Sequence, residues 1–160
     1  MDSREFRNAM GKFATGVTVI STDVEGVYHG MTANGFMSIS LKPTLVAISI
    51  GERAQTLKLI QQSNRFGISI LEKDQLEISK RFAGQIPSDE SFQFDLTNGF
   101  PLIKDALVQI VCCVEQEIVA GDHTIFLGKP EQLYVKDGEP LLFANGQYAT
   151  LNQQCVPSLR

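Results

Sequence analysis

The segment from residues 30 to 53, GMTANGFMSISLKPTLVAISIGER, carries most of the features that indicate the fold. Two β-type runs, residues 36–40 and 44–50, are joined by Lys42-Pro43, a dipeptide that favours a turn. A flat ligand can approach the backbone closely where no bulky side chain projects from it. Such small or hydrogen-bonding residues precede the first run: Thr32, Ala33, Asn34 and Gly35. By itself, the segment favours a glycine-punctuated hairpin with solvated hydroxyl groups over a ligand site.

The residues that follow suit the other end of a flat, phosphorylated ligand. Arg53 and Thr56 come next, and the pattern of residues 54–63 predicts a short helix with Leu57 and Ile60 facing inward. The first backbone N–H groups of a helix are unpaired and, with a nearby arginine, can bind phosphate. The alternative to the plain hairpin is therefore a site for a planar, phosphorylated cofactor.

Length and composition favour a single soluble domain, residues 1–160, with an ordered core over about 3–151 and a loose C-terminal tail. The net charge of −4 argues against a nucleic-acid partner. The first ten residues lack the apolar core of a signal peptide, and the apolar runs are too short to cross a membrane. Three cysteines form neither a disulfide framework nor a zinc pattern; of Cys112 and Cys113, one is expected in the core and the other facing out. We expect a cytoplasmic protein.

The rest of the chain predicts a mainly β fold. A helix is expected over residues 3–13, with Ser3 as its N-cap and Phe6, Met10 and Phe13 on one face. A second helix is expected to open at Asp74 and to end at Gly84. Further strands are predicted over residues 15–22, 27–31, 65–71, 106–120 and 123–135. Six or more strands with only short helices between them predict an antiparallel barrel with helices at its rim and a ligand site outside it or at a subunit boundary.

Single residues outside the central segment allow two interpretations each. His123 follows the Gly121-Asp122 turn and is either a solvated strand residue or an imidazole aimed into a shallow cleft, whereas His29 is interpreted as structural. Arg81 either stabilises a helix C-terminus or contacts phosphate. Tyr148 either closes the core or contacts a ring. Dinucleotide-binding and P-loop glycine motifs, a nucleophile elbow and metal-ligand spacing are absent from the sequence.

Five blocks taken together resemble the short-chain flavin reductase family, and especially the reductases of phenol-type, two-component aromatic monooxygenases. In order they are FRNAMGKFATGVTVIST, HGMTANGFMSISLKPTLVAISI, RFAG, GDHTIFLG and PLLFANGQYATL, which together extend over nearly the whole chain. The resemblance implies a Greek-key, FMN-binding split barrel of six or seven antiparallel strands that works as a homodimer. It also implies that NADH, or less often NADPH, reduces FAD or FMN, and that the reduced flavin serves a separate oxygenase component.

The resemblance also implies roles for individual residues. The flavin ring would be lined by Thr32, Ala33, Asn34 and Gly35, and the ribityl chain would be served by Ser38 and Ser40. Residues near the phosphate would be Ser49, Ile50, Gly51, Arg53 and Thr56. The phosphate or adenine end would meet Arg81, Phe82, Ala83 and Gly84. His123 would meet the nicotinamide as the one catalytic residue, with Tyr148 close by. Two departures are Gly35, where many members have serine, and the acidic Glu52 beside the phosphate residues.

Hydride transfer between stacked rings depends on proximity and orientation more than on a protein acid or base. This explains a sequence with no catalytic triad, and it assigns His123 the orientation of the nicotinamide. Two other functions fit the same barrel. One is a non-enzymatic flavin- or haem-binding module, and the other is an oxidase of pyridoxamine phosphate, which would need more basic residues than this acidic chain has.

Overall fold

A curved sheet of seven antiparallel strands forms the body of the protein. The computed structural model describes residues 1–87, 92–96 and 99–151. The strand order is β3-β2-β6-β7-β8-β5-β4, and β1, β9 and β10 form a second, small sheet. The elements are α1 (Ser3–Met10), β1 (Thr15–Gly16), β2 (Thr18–Val24), β3 (Val27–Ala33), β4 (Phe36–Leu41), β5 (Thr44–Gly51), α2 (Gln55–Ser63), β6 (Arg65–Ile70), α3 (Leu76–Phe82), β7 (Val108–Ala120), β8 (His123–Val135), β9 (Leu142–Ala144) and β10 (Gln147–Ala149).

The connection between β3 and β4 closes the sheet into a barrel. These strands are at opposite edges of the sheet, yet only Asn34 and Gly35 separate them in the chain. Two residues span too little distance for the edges of a flat sheet to be joined, so the sheet must curl until its edges approach each other. The result is a barrel with an open seam, which confirms the predicted split barrel.

The barrel interior is filled by β-branched and aromatic side chains from successive strands. Ile20, Ile48, Ile68, Phe66 and Phe126 are fully or almost fully buried and belong to one apolar cluster. Truncating a side chain such as Phe66 to alanine typically costs about 3–5 kcal/mol, because a cavity is left behind. With its interior packed, the barrel leaves its seam and outer face for ligands.

Helix starts are where the structure departs from the expectations. Asp2, not Ser3, caps α1, because its carboxylate accepts the Arg4 backbone N–H at 2.7 Å. The helix ends at Met10 and buries none of its residues. Helix α3 starts at Leu76 with Gln75 as its N-cap, not at Asp74. The Asp74 N–H is instead bonded to the Glu72 carboxylate at 3.1 Å, in a turn that precedes the helix.

Other expectations concern the cysteines and the chain ends. Cys112 is buried and Cys113 half-buried, as predicted. Burial raises the pKa of the Cys112 thiol to about 12. The predicted loose tail, with Cys155, lies outside the described residues. In the described ranges no helix is long and apolar enough to cross a membrane.

Candidate functional site

Three adjoining clefts form a groove beside the barrel seam. The α3 cleft, of about 600 Å³, and the central cleft, of about 170 Å³, share Ala83 in their walls. The central cleft and the α1 cleft, of about 690 Å³, share Asn34 and Phe143. Because neighbouring clefts share walls, one extended ligand or two adjacent ligands fit along the groove. The two larger volumes are typical of small-molecule sites, and the central cleft joins them.

Most of the predicted ring-binding wall lies in the central cleft. Thr32, Ala33 and Asn34 line it at the end of β3, and Tyr148 of β10 faces it. The Thr32 hydroxyl donates to the Ser79 carbonyl at 2.7 Å, and the hydroxyls of Ser79 and Tyr148 are 2.9 Å apart. These hydroxyls therefore tie β3 and β10 to α3. The wall can offer a ligand its backbone groups and small side chains.

Gly35 has a packing reason to be glycine. Its carbonyl accepts the Ser49 N–H at 2.8 Å, so the β3–β4 link lies directly against β5. A Cβ placed on Gly35 would approach the Ser49 Cβ to 3.1 Å, tighter than ordinary van der Waals contact. A side chain at this position would therefore require a small shift of β5.

The α3 cleft brings together the second predicted group of residues. Its walls include five of them: Thr56, Arg81, Phe82, Ala83 and Gly84. Ala54 caps α2 without a side-chain hydrogen bond, and the first turn of α2 carries no acidic residue. A helix start of this kind together with a guanidinium suits an anion. The cleft is therefore the candidate phosphate end of the groove.

Aromatic rings hold the α3 cleft in shape. Phe82 and Phe92 pack edge to face at 5.0 Å, as do Phe92 and Phe94 at 5.3 Å. The Arg81 guanidinium lies 5.6 Å from the centre of the Phe92 ring, within the range of cation–π attraction. Arg81 is thus oriented by packing at the edge of the cleft.

His123 is the first residue of β8, beside the end of β5, and is held by its neighbour in the chain. Its Nδ1 is 2.8 Å from the Asp122 carboxylate, and this hydrogen bond lowers the pKa of Asp122. Gly121 makes the turn possible, with a φ of 68°. His123 pairs with Gly51, and a Cβ on Gly51 would lie 3.6 Å from the imidazole Nε2. The imidazole ring is therefore held at Nδ1. Its half-exposed edge lies beside Gly51, the last residue of β5, which has no side chain.

His123, Gly35 and the remaining predicted residues are not among those that line the three clefts. Ile50 is fully buried and has only its backbone to offer. The Arg53 side chain is 95% exposed and lies 4.0 Å from the Glu52 carboxylate. The Ser40 hydroxyl accepts the Lys42 N–H at 3.2 Å. Ser38 is exposed on β4, and Ser49 lies against Gly35.

Several residues that line or support the groove were not predicted, and three of them bear on the predicted site. Ser79 joins Thr32 to Tyr148, Phe143 packs edge to face on Tyr148 at 5.3 Å, and Gln55 lines the α3 cleft. Sequence gives no signal for Ser79 or Gln55, because both are ordinary helix residues. Phe143 lies in the closing block PLLFANGQYATL, so the sequence could have indicated it as an aromatic partner for Tyr148.

The residues fit a planar cofactor with a phosphate. Small side chains and backbone groups form the flat wall, and an arginine and a helix start form the anion cleft. Among the described residues no cluster of histidine, cysteine and carboxylate side chains could hold a metal ion. Comparison with protein families gives a match over residues 10–152 to the flavin reductase like domain.

The chain belongs to the flavin reductase-like family. An NADH-dependent flavin reductase of a Rhodococcus species is 43% identical to this reductase over 91% of it and 84% of the relative. The reductase component of 4-hydroxyphenylacetate 3-monooxygenase from Thermus thermophilus is 35% identical, over 91% and 95%. The solved structure of flavin reductase PheA2 has a TM-score of 0.92 and 54% identity, covering 96% of this chain and all of PheA2. The predicted family, fold and enzyme, an NADH-dependent flavin reductase, are confirmed.

Proposed function

We propose that this reductase binds FAD or FMN in the groove, reduces it with hydride from NADH, and supplies it to the oxygenase of an aromatic monooxygenase. The supporting observation is the continuity of the groove, in which the flat wall of Thr32, Ala33 and Asn34 adjoins the anion cleft at Arg81. A flavin has the matching layout, with a planar ring at one end of a ribityl chain and a phosphate at the other.

The protein residues act mainly by binding and orientation. The wall from Thr32 to Gly35 holds the flavin ring, and Arg81 with the start of α2 holds the phosphate. Ser38 and Arg53, which are exposed, and Ser40, which is half-buried, would contact the cofactor only from outside the groove. The bound flavin supplies the chemistry, since it accepts hydride from a nicotinamide stacked on its ring. Fixing two rings in contact removes much of the entropic cost of the reaction.

His123 orients the nicotinamide in this proposal. Its Nδ1 faces Asp122 at 2.8 Å, so Nε2 is the ring nitrogen left for a substrate. The neighbouring Gly51 offers no side chain that would block this approach. An imidazole in this position hydrogen-bonds the nicotinamide carboxamide without taking a proton from carbon.

The partners follow from the way the flavin is held. The groove is open, so reduced flavin leaves by diffusion and reaches a separate oxygenase. Relatives include the reductase components of 4-hydroxyphenylacetate and trigonelline monooxygenases, which supports this role. The enzyme forms a homodimer through apolar side chains that are exposed on the surface of a single chain. A cytoplasmic location gives it access to NADH.

Anaerobic absorbance spectroscopy tests the proposal. With NADH and either FAD or FMN, a catalytic amount of the enzyme should bleach the flavin absorbance band, with nearly one flavin reduced per NADH oxidised. The bleaching should be far faster than with NADH alone. NADPH should be the poorer donor. A protein that binds flavin but leaves both NADH and NADPH unoxidised would instead be a non-enzymatic flavin module, and the proposal would be wrong.

A further inference from the structure

The α1 cleft has no role in the function proposed so far, although it is the largest of the three. It lies between the end of α1 and the turn between β9 and β10. The Asn145 backbone N–H donates to the Gly11 carbonyl at 2.6 Å, which ties that turn to the helix end. Asn145 and Gly146 both have positive φ, 51° and 73°, so the turn is tight. The cleft is therefore a built feature and not a gap beside a loose terminus.

The charge in this cleft is opposite to that of the whole chain. Arg7 and Lys12 line it, and none of its described lining residues is acidic, although the chain has a net charge of −4. Within the described ranges neither cation forms an ion pair. Two exposed cations that line one cleft without acidic neighbours favour an anion there.

One polar atom without a partner adds to this pattern. The Thr15 hydroxyl is buried in the cleft wall and has no hydrogen-bond partner among the described residues. A buried polar atom without a partner is costly, so a ligand or water is expected to satisfy it. The amides of Asn34 and Asn145 also line the cleft. The lining thus provides cations and hydrogen-bonding groups together.

Position along the groove identifies the occupant. Asn34 belongs to both the ring-binding wall and the α1 cleft, while Arg81 lies at the opposite end in the α3 cleft. If the flavin phosphate is at Arg81, the α1 cleft is left for the other reactant. That reactant carries a diphosphate, which guanidinium and ammonium groups bind with charge-assisted hydrogen bonds.

We infer that the α1 cleft binds the diphosphate of NADH, with Arg7 and Lys12 as its cationic contacts. This inference rests on the proposed function and extends it to a site for the second reactant. A volume of about 690 Å³ is large enough for the nucleotide part that carries the diphosphate. The nicotinamide would then extend past Asn34 toward the flavin ring.

Calorimetric titration with NAD⁺ provides a readout that does not depend on turnover. The double variant R7Q/K12Q should bind NAD⁺ about tenfold more weakly at low salt, since two charge-assisted contacts are lost. Its affinity should also depend less on salt than that of the wild type. R7K/K12R keeps both charges and should bind within about threefold of the wild type. R4Q removes one charge from the same helix outside the cleft and should match the wild type.

Steady-state kinetics with FMN identify which diphosphate is bound, because FMN has none. R7Q/K12Q should raise the KM for NADH and leave kcat nearly unchanged. Turnover of 1-benzyl-1,4-dihydronicotinamide, a hydride donor without phosphate, should be equal in variant and wild type. Equal loss with both donors would mean structural damage and would overturn the inference.

Three other results would also overturn it. One is unchanged NAD⁺ affinity in R7Q/K12Q, and another is a raised KM for FAD with no change for NADH, which would assign the cleft to the flavin diphosphate. The third is a change in dimerisation alone, measured by sedimentation. If the wild type itself oxidises no NADH and binds no NAD⁺, the proposed function fails as well. If the wild type is active and the variants match it, only this inference fails.

Discussion

In the proposed function, His123 touches the substrate and Asp122 holds the imidazole in position. The Asp122 carboxylate accepts from Nδ1 at 2.8 Å, and both side chains are substantially exposed. Removing the imidazole should therefore lower kcat/KM for NADH more than removing the carboxylate that holds it. We expect His123→Ala to lower kcat/KM for NADH by about 10–100-fold and Asp122→Asn by about threefold to tenfold. NADH titrations at saturating FMN measure both values. A larger loss in Asp122→Asn than in His123→Ala would contradict these roles.

Cys113 gives a pH-dependent prediction at the residue scale. A hydrogen bond to the Glu131 carboxylate is the main cause that raises the pKa of Cys113, whereas Arg65 lowers it. Glu131 and Arg65 are 3.1 Å apart, so Glu131→Gln also frees the cation. The loss of the carboxylate and the release of Arg65 both favour the Cys113 thiolate. The pH profile of Cys113 alkylation should move to lower pH, with a severalfold faster rate at pH 8.

Iodoacetamide labelling followed by peptide mass spectrometry checks this result. Cys112 should stay unlabelled in the native protein, because its pKa is about 12 and its side chain is buried. Glu5→Gln, which removes an exposed carboxylate of α1, is the matched control and should leave the Cys113 rate unchanged. Slower labelling in Glu131→Gln would show that the carboxylate activates the thiol instead.

At the element scale, α3 is the support of the groove. Its Ser79 contacts two different strands, since the backbone carbonyl accepts from Thr32 and the side chain pairs with Tyr148. Ser79→Ala therefore breaks only the link to β10. We expect Ser79→Ala and Tyr148→Phe each to lower the free energy of unfolding by about 1 kcal/mol, and the double variant to lose less than the sum. Urea unfolding measures the free energies of unfolding of the two single variants and the double variant, with Tyr134→Phe on β8 as control. Strict additivity would mean that the hydrogen bond contributes nothing.

The last turn of α3 gives a prediction for the phosphate end. Arg81 and Lys80 are adjacent, but Arg81 lines the α3 cleft whereas Lys80 forms an ion pair with Glu77 at 2.9 Å. We expect Arg81→Gln to weaken FMN binding about fivefold to twentyfold and to leave riboflavin, which lacks the phosphate, unaffected. Fluorescence quenching gives both dissociation constants. Lys80→Gln should bind FMN normally. Equal weakening with riboflavin would place Arg81 away from the phosphate.

The elements also show what a sequence reveals. Strands β5 and β8 were predictable because their β-branched runs are long and end at clear turns. Helix starts were not, since Asp2 and Ser3 are both good caps, and only the direction of the carboxylate toward the Arg4 N–H decides between them. The small residues of the ring wall by themselves left a ligand site as an alternative to a plain hairpin, and the family resemblance then assigned the wall and the RFAG block to the cofactor. The α1 cleft was missed, because it needs Gly11 to meet Asn145 from the far end of the chain.

At the scale of the whole molecule, the β4 edge of the barrel exposes apolar side chains. Within the described residues, β4 pairs with β5 alone. Met37, Ile39 and Leu41 on this edge strand are 59%, 44% and 87% exposed. A free strand edge with apolar side chains is an aggregation hazard that soluble proteins normally cover. A second copy of the chain is the simplest cover, and it would lie beside the seam and therefore close to the groove.

Sedimentation velocity tests whether this edge forms the homodimer. We expect the wild type to sediment as a dimer at micromolar concentration and its melting temperature to rise with protein concentration, because association stabilises the folded chain. The double variant Met37→Lys/Leu41→Lys should sediment as a monomer, since it places two charges in an apolar contact. Leu133 lies near the end of β8 and is 61% exposed, so Leu133→Lys is a comparable change on another strand and should remain dimeric. If Leu133→Lys dissociates the dimer and the β4 variant does not, the interface lies on the β7–β8 face. The groove would then be complete within a single chain, and flavin affinity should be independent of protein concentration.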